Sequence, residues 1–370
     1  MTTQGVSVAE GTTDARAERA GGLPNAQLIR ELYQDYYLRE PAEQAPYMSS
    51  HWGYGSQRFQ VEFDEGGRLR VLRGYGIAGV VTGYPGDRLA AKAFRLFTLL
   101  TRPGRGEMVK LLQTARRVCG RAGFDVLFDG FEQLYALAFL RQWLGSPTTP
   151  LTILVIGDGY GFLSAMLKRC YPDATVVLVD IGRTLLFQSV LCQRAHPDAR
   201  HYGITKGNFG ATPTLADYDF IYCPTEYLDV LRALRYDVAI TISAMQEMNA
   251  ATIERYFAFL RDRLKEEHLF YCCGRVSKVL RGGEVSTFDA YPWDPRDRHL
   301  VDGRCPWYGY YGSLRTSGPG LRLFGMRVPF VNAFHPMRHR LSILATSGSA
   351  AAPAAEAGVL VPRAGDRADL

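Results

Sequence analysis

A glycine-rich turn is the part of this sequence whose residue types point most directly to chemistry. The segment LVIGDGYGFL places Gly157, Gly159 and Gly161 directly after an apolar run and before an amphipathic stretch. Glycines let the backbone turn tightly and approach a ligand, and the N-terminus of a following helix favours negative charge. We interpret Gly157, Asp158, Gly159, Tyr160 and Gly161 as a candidate binding loop for a nucleoside-containing ligand.

An acidic residue at the end of the next apolar run strengthens this interpretation. Asp180 closes ATVVLVD roughly 20 residues after the loop, where a carboxylate can accept both hydroxyls of a ribose. The alternative is a tight turn followed by a surface carboxylate. The dinucleotide fingerprint fits poorly, because its last glycine or alanine would fall on Phe162 or Ser164. The pattern instead suits S-adenosylmethionine, with its amino-acid end on the loop and its ribose on Asp180.

The elements around this loop alternate between buried strands and amphipathic helices. After Pro150 the apolar runs are LTILVIG, ATVVLVD, DFIYC, DVAITIS and HLFYCC. Strands that are apolar on both faces and separated by helices are typical of a parallel sheet with right-handed crossovers. We predict an α/β fold, Rossmann-like and doubly wound, with a mostly parallel seven-stranded sheet and an N-terminal helical accessory region. The predicted organisation is a disordered tail (1–22), an accessory or lid region (23–124), the α/β domain (125–346) and a second disordered tail (347–370).

Composition narrows the class of protein. The net charge of +6 is spread along the chain, which argues against nucleic acid as a partner and is compatible with an acidic or phosphorylated substrate. No stretch approaches the roughly 20 apolar residues of a membrane span, and the N-terminus lacks a secretory signal, so we expect a cytoplasmic protein with no membrane partner. Seven scattered cysteines without a CxxC pair predict reduced thiols and no metal site.

Three segments together resemble a known family. They are IGDGYGFLSAMLKRCYPDATVVLVDIGRTLLFQS, YDVAITISAMQEMNAATIERYF and HLFYCCGRVSK, with an upstream SSHW at residues 49–52. This pattern resembles the sugar O-methyltransferases of antibiotic and polysaccharide biosynthesis, which are class I S-adenosylmethionine-dependent enzymes. Asp158 and the pair Gly274-Arg275 depart from the family pattern, which has Gly and Asn-Arg there. The resemblance implies methyl transfer to a hydroxyl of a sugar or glycosylated small molecule.

Such a transfer needs an acceptor oxygen held in line with the methyl group and a base near its proton. Ser243, Gln246 and Glu247 follow strand DVAITIS and are expected at the ligand-binding edge of the sheet. We interpret Ser243 and Gln246 as cofactor-binding. Glu247 is a candidate to orient or deprotonate the hydroxyl or to bind the cofactor's ammonium. Alternatively, Gln246 and Glu247 only favour a helix N-terminus.

Histidine is the commonest general base, and two histidines are candidates. His299 is the first choice, because it lies in the long segment after the fifth strand, as does His335. His51, beside Trp52 in the upstream element, is the other, in a segment predicted to act as a lid. The aromatic residues predicted either to stack on a sugar ring or to pack the loop are Tyr291, Trp293, Trp307, Tyr308, Tyr310 and Tyr311. Asp294, Asp297 and Asp302 have no metal-ligand spacing, so we predict no metal.

Two other classes of function stay open. One is a methyltransferase acting on nitrogen or carbon, or a dehydrogenase with a degenerate loop. The other is a non-catalytic protein that keeps the nucleoside pocket as a scaffold or regulatory site. A base is dispensable for an amine acceptor, whereas a non-catalytic protein would bind the cofactor without turnover. The oligomeric state is left open.

Overall fold

The computed structural model describes residues 25–38, 45–55, 59–64, 69–73, 105–122, 126, 128–307, 322–323, 326–327 and 336–346. The helices are α1 (Ala26–Leu32), α2 (Ser50–Gly55), α3 (Arg105–Ala122), α4 (Phe128–Leu144), α5 (Phe162–Cys170), α6 (Gly182–Ala195) and α7 (Ala250–Arg263). The strands are β1 (Gln60–Phe63), β2 (Leu69–Arg73), β3 (Thr152–Ile156), β4 (Thr175–Asp180), β5 (His201–Gly203), β6 (Phe220–Pro224), β7 (Tyr236–Ile242), β8 (Leu264–Arg275), β9 (Ser277–Val279), β10 (Val285–Thr287), β11 (Arg298–Arg304), β12 (Arg322–Leu323), β13 (Met326–Arg327) and β14 (Met337–Ile343).

The main sheet confirms the predicted doubly wound α/β fold. Its strand order is β11-β14-β8-β7-β3-β4-β6-β5, and β14 alone runs antiparallel to its neighbours. The sheet has eight strands, one more than predicted. Strand β5 is a three-residue edge strand paired to β6, and a segment as short as HYG carries no apolar run that would mark it as a strand.

Apolar side chains alternate between the two faces of the sheet, and each face has its own core. Ile153, Val155 and their neighbours pack under α1, α3, α4, α5 and α6. Leu154 and Ile156 point the other way, into the core under α7. Because successive residues of a strand face opposite sides, a strand covered on both faces must be apolar throughout, as TILVI is.

The described N-terminal helices pack onto this sheet. The hydroxyl of Tyr36 donates to the backbone oxygen of Ile204, at 2.6 Å, and Leu32 lies against Gly203. Asn25 caps α1 by accepting from the backbone N–H of Leu28, at 2.9 Å. Leu28, Leu32 and Tyr36 belong to the same core as Ile153 and Val155 of β3.

Several sequence expectations fall outside the described residues. They are the tails 1–22 and 347–370, and the side chains of His335, Tyr308, Tyr310 and Tyr311. The seven cysteines are all free thiols and six of them are buried, as expected. In the part of the chain that the structure describes, no helix has the length and apolar character to cross a membrane.

Gly161 joins the glycine turn to α5 and brings α6 close to it. Its φ of +88° lies in the left-handed region, and a Cβ there would sit 2.9 Å from the Cα of Gln188 on α6. Gly283 has nearly the same backbone angle, with a φ of +89°, but open space around its Cα. A side chain at residue 161 would therefore meet both backbone strain and steric overlap, whereas a side chain at residue 283 would meet the strain alone.

We expect Gly161→Ala to lower the free energy of unfolding by roughly 2–4 kcal/mol, since it adds overpacking to left-handed strain. The matched change Gly283→Ala carries only the strain, roughly 1–2 kcal/mol. Urea unfolding of both variants measures the difference. Equal losses would show that α6 moves away from residue 161 without cost.

Candidate functional site

A cavity opens at the carboxyl ends of β3, β4 and β7. The order of the strands reverses here, because the chain passes from β3 to β4 on one side and returns to β7 on the other. Ligands of open α/β sheets bind at such a reversal. The cavity holds about 770 Å³ of empty space, counting its open mouth. It is lined by Tyr47, Ser49, Trp52, Gln133, Gly157, Gly159, Asp180, Ile181, Thr184, Thr225, Ile242, Ser243, Ala244, Glu247, Met248, Thr252 and Tyr256.

The first two glycines of the predicted loop lie in the cavity wall. A Cβ at Gly157 would come within 2.2 Å of the Cβ of Ala244, so no other residue fits against the turn after β7. The backbone N–H of Gly157 donates to the carbonyl of Val179, at 3.0 Å, which ties the ends of β3 and β4 together. The loop therefore brings its backbone to the cavity, as the glycine pattern predicts.

The side chains of Asp158 and Tyr160 do not line the cavity, so the prediction that these two loop residues bind the ligand stays a prediction for their backbone. The Asp158 carboxylate accepts from the backbone N–H groups of Leu163, at 3.1 Å, and Ser164, at 2.7 Å. It therefore caps the N-terminus of α5. The Tyr160 ring is buried and packs edge-on against Phe187. Alternate residues of the turn point into the core, so these two side chains build the loop without lining the cavity.

Asp180 lies in the cavity wall with its carboxylate fixed by two hydrogen bonds. One oxygen accepts from the backbone N–H of Ile181 and the other from the amide of Gln188, both at 2.7 Å. A carboxylate has about four acceptor positions, so each oxygen keeps capacity for a ligand hydroxyl. Burial is the main reason that the pKa of Asp180 is raised to about 7, and the nearby Asp158 carboxylate adds to the rise.

The segment after β7 contributes Ser243 and Glu247 to the cavity but not Gln246. Ser243 has a φ of +59°, a strained angle for a residue with a side chain, and its backbone N–H donates to the carbonyl of Cys273, at 2.7 Å. Gln246 is buried and accepts from the backbone N–H of Arg275, at 2.6 Å. The prediction of a cofactor-binding Gln246 is therefore corrected, because its amide ties the end of β8 to this turn.

A polar corner forms where the N-terminal segment meets Glu247. The Nε2 atom of His51 lies 3.6 Å from one carboxylate oxygen of Glu247, and the ammonium of Lys278 contacts the other. The Ser49 hydroxyl donates to the backbone oxygen of Glu247. Burial lowers the pKa of His51 below its usual value, although the Glu247 charge opposes this. The structure thus brings the predicted base candidates Glu247 and His51 together.

The same N-terminal segment is fastened to the β9–β10 hairpin. The Ser50 hydroxyl accepts from the backbone N–H of Gly282, at 2.8 Å, and donates to the carboxylate of Glu284, at 2.8 Å. On the other side of the segment, the ring of Trp52 lines the cavity. The SSHW element, residues 49–52, therefore lies at the cavity wall and is tied both to Glu247 and to the β9–β10 hairpin.

His299 lies away from the cavity, which corrects the first choice of catalytic base. It sits on β11, where its Nδ1 pairs with the Ser342 hydroxyl at 2.8 Å and Trp293 packs edge-on against its ring. Ser342 is level with Phe270, five residues before the carboxyl end of β8. The chain after β10 returns to the edge of the sheet, so His299 does not line the site.

The described aromatic residues of the C-terminal segment also have packing roles. Tyr291 and Trp293 pack with Phe257, and Trp307 lies against Tyr135 and Phe139. For these three residues, the interpretation that the aromatics pack the loop is the correct one.

The aspartates of this segment are held by arginines. Asp297 forms a two-pronged pair with Arg261, with N–O distances of 2.6 and 2.9 Å, and Asp302 accepts from Arg338 and Arg340. Over the described ranges, no cluster of three His, Cys, Asp or Glu side chains is arranged to hold a metal ion.

Sequence reasoning missed several polar residues that line the cavity. Three of them, Gln133, Thr184 and Thr252, have buried side-chain oxygens with no hydrogen-bond partner among the described residues. Buried polar groups are normally paired, so a polar ligand would satisfy them. Thr184 could have been predicted from the sequence, because it lies in the first helical turn after Asp180. Gln133 lies in a helix whose apolar pattern marks it only as buried.

Comparisons with known proteins give distant similarity only. No protein-family model matches the chain, and no curated protein matches it. The chain aligns with coclaurine N-methyltransferase bound to N-methylheliamine and SAH, at 11% identity over 71% of this chain and 88% of that chain, with a TM-score of 0.38. It aligns with the DhpI–SAH complex at 10% identity over 65% and 98%, with a TM-score of 0.32.

A third alignment is to the cyclopropane synthase MmaA2 from Mycobacterium tuberculosis, at 16% identity and a TM-score of 0.26. It covers 37% of this chain and 42% of the synthase, so the chain spans less than half the length of that protein. The functional assignment therefore rests on the site itself.

The buried Asp158 carboxyl makes stability depend on pH. Burial raises its pKa from 3.8 to about 7, so the folded protein holds this proton more tightly than the unfolded chain does. The free energy of unfolding should then fall as the pH rises from about 4 to about 7, and this contribution should be constant above that range.

We expect Asp158→Asn to show a smaller fall over the same range, measured by urea unfolding at pH 5 and pH 8. Part of the fall should persist, because Asp180 behaves in the same way. Asp173→Asn, at an exposed carboxylate, is the control and should keep the full fall. An unchanged slope in the Asp158 variant would contradict the raised pKa.

Proposed function

We propose that this chain is an S-adenosylmethionine-dependent methyltransferase that acts on a hydroxyl of a sugar or glycosylated small molecule. One observation carries the proposal. Gly157, Gly159, Asp180 and Glu247 all line a single cavity at the strand-order reversal, and His51 lies beside Glu247. The cavity therefore combines a nucleoside cradle with a candidate base.

The residues of the cavity fit S-adenosylmethionine. Asp180 has acceptor capacity for the ribose hydroxyls, and the glycine turn brings its backbone to the cavity, where the amino-acid end would bind. The unpartnered oxygens of Gln133, Thr184 and Thr252 offer further polar contacts inside the wall. When bound, this cofactor supplies a methyl group on a positively charged sulfur.

Two features disfavour a dinucleotide. Phe162 and Ser164 occupy the positions where the dinucleotide fingerprint needs a small residue. The dinucleotide-binding fold also ends in a sixth parallel strand, whereas here the antiparallel β14 follows β8 in the sheet. Next to β8, the sheet therefore has an antiparallel strand where the second nucleotide-binding half needs a parallel one.

The polar corner suits removal of a proton from a hydroxyl. A neutral hydroxyl is a poor nucleophile, and histidine is the commonest general base for it. Glu247 faces Nε2 of His51, which leaves Nδ1 for the acceptor proton; among the described residues no hydrogen bond to Nδ1 is present. Glu247 then stabilises the imidazolium that forms, in the manner of a base and its orienting carboxylate.

A sugar acceptor is the finer part of the proposal. Tyr47 and Trp52 line the cavity, and their rings are suited to packing against the apolar face of a sugar. The resemblance of SAMQEM and SSHW to sugar O-methyltransferases supports the same acceptor class. On this basis we place the reaction in the specialised metabolism of the cytoplasm, without a nucleic-acid or membrane partner.

We expect SAH to bind the protein in a calorimetric titration and NADH not to bind. Asp180→Ala removes two hydrogen-bond acceptors for the ribose and should weaken SAH binding roughly 10- to 100-fold. Asp173→Ala, far from the cavity, should bind as the wild type does. Binding of NADH alone would overturn the proposal and leave oxidoreduction.

The second test concerns the base. With an acceptor found by screening glycosylated compounds for methyl transfer, His51→Gln should lower kcat by roughly 10²–10⁴. His299→Gln is the matched control and should keep the wild-type rate, since His299 lies outside the cavity. Full activity of both His51→Gln and Glu247→Gln would instead favour a nitrogen acceptor.

A further inference from the structure

Lys278 is a largely buried cation beside the cavity residue Glu247. It lies on β9, and only 11% of its side chain is exposed. Charged lysine ammonium groups are rarely buried unless they are paired, and its partner here is the carboxylate of Glu247. A lysine in this position has a role tied to that carboxylate.

The geometry divides the two oxygens of Glu247 between two partners. One oxygen contacts the Lys278 ammonium, and the other lies 3.6 Å from Nε2 of His51. The Ser49 hydroxyl holds the backbone of Glu247 at the same point. A carboxylate fixed by one oxygen presents the other in a defined direction, so the position of Lys278 determines how Glu247 faces the imidazole.

We propose that Lys278 is a positioning residue, which holds Glu247 so that its second oxygen orients His51 with Nδ1 directed to the acceptor. This inference rests on the proposed function, since it gives His51 the role of base. Lys278 also offsets the charge of Glu247, so that the imidazole gives up its proton at a lower pH than it would beside an unpaired carboxylate.

The charges facing His51 come from three other elements. They are Glu247 after β7, Arg275 at the end of β8, and Lys278 with Arg281 on and after β9. Glu247 raises the pKa of His51, while the three cations lower it. Glu284, near Ser50, is a further carboxylate on the hairpin. Removing Lys278 leaves Arg275 and Arg281 as the cations that oppose the effect of the Glu247 charge on His51.

The test follows the imidazole of His51 by NMR in the protein without cofactor or acceptor. His51→Gln identifies the signal by its loss. We expect Lys278→Met to raise the pKa of His51 by about one unit, as expected when a neighbouring charge is removed. Lys278→Arg should keep the wild-type value. Lys265→Met removes an exposed lysine that pairs with Asp237, and it should leave His51 unchanged.

The pH profile of kcat/KM gives a second reading. In Lys278→Met the acid limb of this profile should shift to a pH about one unit higher, and at high pH the rate should equal that of the wild type. A purely structural lysine would lower the rate at every pH and leave the His51 titration unchanged, and that result overturns the inference. Because the titration needs no ligand, its outcome is independent of whether SAH binds, which tests the proposed function separately.

If Lys278→Met does not fold, the His51 titration is repeated with Lys278→Gln. Glutamine can still hydrogen-bond to Glu247 but carries no charge. A raised pKa of His51 in that variant supports the inference. An unchanged pKa overturns it.

Discussion

The contact between Gly157 and Ala244 is the constraint on which the site depends. It presses the turn after β3 against the turn after β7, closer than any side chain would allow. These two strands are neighbours in the sheet, yet their crossovers leave on opposite faces. The cavity exists because the two turns meet at their backbones and then diverge, one toward Asp180 and the other toward Glu247.

The fold was predictable because its signals are local. Runs such as TILVI and TVVLVD, spaced by amphipathic helices, specify buried parallel strands, and Asp180 marks the end of one of them. The placements that failed depend on long-range packing. His299 was assigned to the site from its position in a segment, but pairing of β11 with β14 carries it to the sheet edge.

The sequence also does not predict which way each side chain of a loop points. Gly159 and Asp158 are neighbours in the loop, but only the glycine faces the cavity, since the carboxylate turns under α5. Gln246 and Glu247 differ in the same way. A motif therefore locates a turn, whereas the packing beneath it decides which of its residues meet a ligand.

The hydrogen bond between Ser50 and Gly282 affects the order in which the parts of the chain fold. The two residues are 232 positions apart, so the corner that holds His51 closes one of the longest loops in the described fold. Contacts of such sequence separation form late, because closing a long loop costs entropy before it gains contacts. On the ribosome, the glycine turn and Asp180 emerge well before Lys278 and the hairpin. A nascent chain would thus form the turn at Gly157 and Asp180 first and the corner around Glu247 last.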